Sequence, residues 1–311
     1  MDDSRGMRLR GTGHAHAKVI LIGEHTVVHG TPAIAVPVRR LQIDAIAYLG
    51  GTNTTTGPIA PDTARSGTDQ AVQELLRQWG ITDATVDLRL HIGIPPARGL
   101  GGSAACTAAA VRAVAQLCGR ELDAAQLYES VQFGERIAHG RASGIDTAAV
   151  LASDPIRFER GESRPAACGV RAGLIIADSG IRGETRPAVA AVAARLGDDP
   201  RRGSEILTHA RELVEESAEF LSAGRIAELG RALSEFHRVL GGLGVSLPRL
   251  DHLAEAALRA GAYGAKLTGG GLGGCVIALA DPDTESQQRI RTALTEAGAI
   301  RTWVTTLGGA S

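Results

Sequence analysis

Five segments of the chain carry residue types that handle phosphates and alcohols. The run Pro95-Pro96-Ala97-Arg98-Gly99-Leu100-Gly101-Gly102-Ser103-Ala104-Ala105 follows an alternating segment and opens an Ala-rich one. Glycines 99, 101 and 102 let the backbone approach a ligand closely. A helix start adds unpaired N–H groups and the positive end of a dipole, which suits phosphate. The Walker A pattern GxxxxGK[ST] is absent, so this is not an ordinary P-loop. Ser103 lies in GGSAA rather than GxSxG, which disfavours a nucleophile-elbow hydrolase. A glycine-rich helix start without a ligand is the plain alternative.

The second segment is His139-Gly140-Arg141-Ala142-Ser143-Gly144-Ile145-Asp146-Thr147, with Glu135 one helical turn earlier. A magnesium–nucleotide site needs only one or two protein oxygens besides phosphate and water. Glu135 and Ser103 have the right chemistry to supply them. Asp146 has the right chemistry to orient a hydroxyl and take its proton, and equally to cap a helix.

The third segment is Ala17-Lys18-Val19-Ile20-Leu21-Ile22-Gly23-Glu24-His25. A strand-borne lysine near a carboxylate keeps that carboxylate ionised. Glu24 and His25 follow an apolar run directly, at a strand end where sites often sit; a structural histidine fits there as well. The fourth, Lys266 to Cys275 (KLTGGGLGGC), has five glycines in six positions and leaves its backbone open to a ligand, another loop or a tight turn. The fifth is the polar loop Asp178–Arg186, where Thr185 and the arginines suit a hydroxy acid.

Of the 33 basic residues, only Lys18 and Lys266 are lysines. In so arginine-rich a background, lysine is retained where a compact point charge is needed and a planar fork does not fit. Both fall inside these segments.

The elements that must carry these residues follow from periodicity and punctuation. Strands are expected over 11–22, as a pair over 32–49, over Val86–Ile94 and over Leu174–Ala177. Residues 50–69 read as a loop by composition. Helices are expected over Asp69–Trp79, from the glycine loop to Cys118, over Asp123–Ala138 and from near Ser143. Residues 186–261 are mostly amphipathic helix, broken at 198–203 and 241–248. A helix near 284–297 and a strand near 299–306 close the chain. At 311 residues the chain holds about two domains. The boundary is expected at 165–172, giving domains 1–168 and 169–311. Strands and helices do not alternate as regular βαβ units, so the fold class is α+β.

Composition excludes several functions. A net charge of −1 and nine aromatic residues speak against a nucleic-acid surface. Cysteines 106, 118, 168 and 275 form no zinc pattern and are expected to be free thiols in a reducing compartment. No run resembles a signal peptide, and Arg112 interrupts the Ala-rich stretch, so a cytoplasmic protein without a membrane partner is expected.

Together, AKVILIGEHTVVHGTPAIAVP, PPARGLGGSAA and KLTGGGLGGC resemble, in order, the three motifs of the GHMP kinase superfamily. The likeness covers residues 12 to about 280. Lys18 with GEHTVVHG, and HGRASGIDTA, resemble the mevalonate-phosphorylating branch. Galactokinases usually carry Arg at the position of Lys18 and Asp-Tyr at Val27-Val28. The resemblance implies an N-terminal domain like domain 2 of ribosomal protein S5 and a ferredoxin-like C-terminal domain. It implies ATP and Mg²⁺ as cofactors, mevalonate as the small-molecule partner, and a homodimer as in many members. Lys18 and Asp146 match the family's catalytic pair, and Ser103 and Glu135 its metal ligands. Pro95, Arg98 and Gly99–Ala105 match its phosphate loop; Glu24, His25 and Thr185 fall at its acceptor contacts. Kinases of phosphomevalonate or sugars, and a silent ligand-sensing relative, are the alternatives. A phosphorylated acceptor would call on Arg141, Arg182 or Arg186.

Overall fold

The computed structural model describes residues 10–50, 54–56, 62–81, 85–140 and 142–308. Its contacts divide the chain into two units. The first comprises Met1–Ala17, Arg39–Pro96 and Gly101–Leu151; the second comprises Lys18–Val38, Ala97–Leu100 and Ala152–Ser311. Strand β1 is Arg10–Ile22 and pairs with β2, Ala33–Leu49. The sequence suggests a strand pair over 32–49, but β2 is one strand of 17 residues. No Gly, Asn or Asp stands between Val38 and Gln42 to reverse the chain, so exposed Arg39 and Arg40 simply continue it.

In the first unit, the end of β2 pairs antiparallel with β4 (Val86–Ile92), which also pairs in parallel with the short β3 (Thr54–Thr56). Helices α1 (Asp62–Gln78), α2 (Gly102–Leu117) and α3 (Ala124–His139) pack on one another, followed by α4 (Ile145–Leu151). A capping box starts α3: Asp123 Oδ1 accepts from Gln126 N at 2.7 Å, and Gln126 Oε1 from Asp123 N at 3.2 Å. The loop expected over 50–69 is partly overturned, because it contains β3 and the first two turns of α1. Gly67 accounts for the misreading. A Cβ there would lie 2.5 Å from Gly134 O, so it is a helix-crossing glycine rather than a turn.

In the second unit, the start of β2 pairs with β5 (Ile156–Glu159), and β5 forms a hairpin with β6 (Glu162–Pro165). Arg160 and Gly161 have φ of 50° and 88°, the two left-handed positions of a tight hairpin that the periodicity did not reveal. Then come β7 (Ala172–Asp178), helices α5 (Thr185–Asp198), α6 (Pro200–Ser222), α7 (Ile226–Gly242) and α8 (Pro248–Arg259), strands β8 (Gly264–Thr268) and β9 (Cys275–Ala280), α9 (Thr284–Glu296) and β10 (Arg301–Leu307). The sheet order is β10-β7-β9-β8, antiparallel throughout. Fourth, first, third, second is the ferredoxin-like order, here with four helices in the first crossover. Strands β7, β8 and β9 are buried along their whole length and form the core of this unit.

Helix α7 lies directly on β8 through Gly230 and Gly264. A Cβ on Gly264 would fall 1.9 Å from Gly230 O, leaving no room for a methyl group. Gly264→Ala is therefore expected to cost about 3 kcal/mol, the upper range for overpacking. A urea titration checks this; an unchanged midpoint would show that the contact relaxes freely. All four cysteines are free, as expected. Among the described residues no helix is long and apolar enough to cross a membrane.

Candidate active site

Helix α2 begins at Gly102, after Gly101 in the left-handed region (φ 72°), and no side chain caps it. Its first N–H groups therefore lack a side-chain acceptor, as a phosphate cradle requires. Ser103, in the first turn, donates from Oγ to Glu135 Oε1 at 2.5 Å. Glu135 is buried on α3, and His139 Nε2 lies 3.9 Å from its Oε2, one turn along. A hydroxyl and a carboxylate side by side form a hard-oxygen pair of the kind Mg²⁺ takes beside phosphate and water. Among the described residues no group of three or more acidic, His or Cys side chains is placed to hold a metal ion.

Asp146 stands in the first turn of α4 and is half-buried. Its neighbours are fixed to α3: Thr147 Oγ1 donates to Gln132 Oε1 at 2.7 Å, and Gln132 Nε2 donates to Ala142 O at 3.0 Å. Helix α3 thus anchors the Asp146 segment through Gln132 and carries Glu135 one turn later. The sequence reading overlooked Gln132, whose only signal is its spacing from Glu135.

The second unit carries the lysine, the acceptor-contact candidates and the middle of the glycine loop. Lys18 is buried on β1. Its backbone N donates to Leu100 O at 3.0 Å and its Nζ to Gly99 O at 3.1 Å. One residue therefore docks the loop on the strand twice. Two residues along, Ile20 N donates to Thr268 Oγ1 at 3.0 Å, and Thr268 Oγ1 returns a bond to Ile20 O at 2.9 Å. Here the two glycine-rich loops meet. A Cβ on Gly269 would lie 2.7 Å from Gly99 Cα, so backbone packs on backbone. Of the uses open to the 266–275 glycines, two are observed: a turn joining the paired strands β8 and β9, and contact with another loop.

Arg98 does not project freely. Its Nε lies 2.6 Å from Asp178 Oδ1, with the two side chains 11% and 3% exposed. The pair ties the glycine loop to the end of β7, and Gly183 N donates to Ala97 O at 2.9 Å beside it. Arg182 and Arg186 are exposed; Arg141 lies outside the described residues.

After β1 the chain turns through Gly23, Glu24 and His25 into a single 3-10 turn, Thr26–His29. Thr31 Oγ1 donates to Thr26 Oγ1 at 2.7 Å, and Arg211 Nη2 donates to Gly30 O at 2.6 Å, fixing the turn. His25 takes φ 64°, an unfavourable value for a residue with a Cβ and common at functional sites. Both of its ring nitrogens are buried without a hydrogen-bond partner among the described residues, as is Glu24 Oε2. Glu24 Oε1 accepts from Lys266 Nζ, in an ion pair 242 residues apart in sequence. Thr185, at the start of α5, is exposed. It reaches the same loop: a Cβ on Gly270 would fall 2.6 Å from its Oγ1.

Burial pushes the His25 imidazole down to about 4, so it is neutral in the fold. An unfolded histidine titrates near 6.5. Protons then bind the unfolded chain more strongly, and stability rises with pH in that window. The contribution is complete above pH 6.5 and is lost as pH falls toward 4, by about 3 kcal/mol in all. His25→Gln is expected to flatten this part of the acid limb relative to the parent in pH-dependent melts. Parallel limbs would mean that His25 titrates normally.

The first unit thus holds an uncapped helix N-terminus with a Ser–Glu oxygen pair, and the second a buried lysine that docks residues 99 and 100. The chain belongs to the GHMP kinases: residues 67–154 match the GHMP kinases N terminal domain and residues 213–300 match GHMP kinases C terminal. Within that family it stands among the mevalonate kinases. It is 32% identical to the mevalonate kinase of Aeropyrum pernix, over 88% of this chain and 89% of that one. It is 30% identical to that of Thermococcus gammatolerans, over 93% and 94%. The crystal structure of L. major mevalonate kinase in complex with R-mevalonate superposes with a TM-score of 0.86 at 25% identity, covering 98% of each chain. The expected α+β fold of this family is the one observed.

Proposed function

We propose that the protein transfers the γ-phosphoryl group of ATP to the C5 hydroxyl of (R)-mevalonate, giving 5-phosphomevalonate and ADP. The observation that carries this reading is the lysine-docked glycine loop at the start of α2, in a chain of mevalonate kinase ancestry. The N–H groups of Gly101–Ala105 cradle the phosphates, and Ser103 and Glu135 would hold Mg²⁺. When bound, that ion neutralises charge on the phosphate oxygens.

Asp146 accepts the proton of the C5 hydroxyl as the oxygen attacks phosphorus. Lys18 stabilises negative charge on that oxygen. Glu24, His25 and Thr185 orient the acceptor; the neutral imidazole can donate from one nitrogen and accept at the other. Positioning and electrostatics supply most of the acceleration, as in other phosphoryl transfers.

The test is ADP production with MgATP and four acceptors: mevalonate, phosphomevalonate, galactose and homoserine. Turnover with mevalonate alone is expected. Turnover only with another acceptor would overturn the acceptor assignment and leave the family intact.

A further inference from the structure

The proposed mechanism assigns no role to Lys266, one of the chain's two lysines. It lies at the edge of the four-stranded sheet on β8 with no solvent exposure. Its ammonium is fully engaged: Nζ donates to Glu24 Oε1 and, at 2.6 Å, to Leu267 O, and sits 5.8 Å from the centre of the Phe236 ring. A carboxylate, a carbonyl and an aromatic face occupy its surroundings, so no direction is left for a phosphate. The strand around it is fixed as well. Leu267 N donates to His237 Nδ1 at 3.2 Å, and His237 Nε2 pairs with Asp251 Oδ1 at 3.1 Å. With Nδ1 accepting, the imidazole proton is on Nε2.

Glu24 has one oxygen on Lys266 and the other buried without a hydrogen-bond partner among the described residues. A buried carboxylate with only half its lone pairs used is costly unless a ligand completes it. We propose that Lys266 is a positioning residue for the acceptor alcohol: it holds Glu24 ionised and in place, so that Oε2 accepts a hydrogen bond from the substrate. This rests on the reading that places Glu24 at the acceptor. Burial drives Glu24 up and Lys266 down; their mutual attraction is the largest influence opposing this, with a backbone hydrogen bond and the Lys18 charge adding to it at Glu24. Without the lysine, Glu24 takes up a proton and presents a donor where an acceptor is required.

Lys266→Met is expected to raise KM for mevalonate roughly tenfold or more, the cost of one charge-assisted hydrogen bond, with KM for ATP within about twofold. Lys266→Met/Glu24→Gln is expected to match Glu24→Gln in KM, because Lys266 acts through Glu24. Melting without substrates gives an independent arm. Lys266→Met is expected to lower Tm by roughly 5–10 °C, and adding Glu24→Gln to restore most of it, since a neutral pair leaves no buried charge. A rise in ATP KM, an unchanged mevalonate KM in folded Lys266→Met, or additive effects in the double variant would each overturn the proposal. If the parent enzyme acts on a different alcohol, the same KM split is read for that alcohol. The functional reading then fails while the positioning role is still decided.

Discussion

Asp146→Asn lowers kcat by roughly 10²-fold or more and leaves both KM values nearly unchanged. The magnitude is that of a positioned acid–base group, which typically supplies 10²–10⁴-fold. The substitution changes the chemistry with little change of shape, and residues beside Asp146 also hold the segment. The bonds from Thr147 to Gln132 and from Gln132 to Ala142 hold it on α3 and survive the change. Asparagine has the same shape and can still orient a hydroxyl, but it cannot take the proton. Steady-state kinetics at saturating ATP and mevalonate decide the matter. A kcat within threefold of the parent would remove Asp146 from the proton transfer.

Lys18→Met is the second large effect, with a loss of roughly 10²–10³-fold in kcat, the range seen when one preorganised electrostatic group is removed. The side chain is 1% exposed and donates to Gly99 O, so its removal also strips the loop of a donor. The backbone bond from Lys18 to Leu100 remains in any variant, which keeps the loop on the strand. Lys18→Arg is not expected to rescue activity. A guanidinium is wider than an ammonium, and forcing extra volume into a filled space costs about 1–3 kcal/mol. The two variants separate charge from shape: Met removes the cation without adding volume, whereas Arg keeps a cation and adds volume. Substantial activity in Lys18→Arg would show that any cation suffices there.

The residues of the proposed site stand out in the sequence more readily than the packing does. The loop 95–105, the Glu135–Asp146 segment and the retained lysines announce themselves by residue type and local spacing. What escaped are relations between distant positions. Glu24 and Lys266 read separately as a strand-end carboxylate and a lysine before a glycine run; their ion pair spans 242 residues. Arg98 reads as a phosphate ligand, yet its guanidinium lies on Asp178. Gly67 reads as a loop residue because composition alone does not distinguish a turn glycine from one at a helix crossing. The Arg160-Gly161 hairpin was missed because its strands are only four residues each.

The two lysines have a consequence for reactivity. Lys18 and Lys266 are the only lysines in the chain, and they are 1% and 0% exposed. The folded molecule thus offers solvent a coat of guanidinium groups and no side-chain primary amine. Acylating reagents, aldehydes, reducing sugars and enzymes that conjugate modifiers to lysine all attack lysine through such an amine. They reach one here only when β1 or β8 opens. Amine modification at residue 18 or 266 therefore records the opening of one particular strand, and the folded surface stays silent to it.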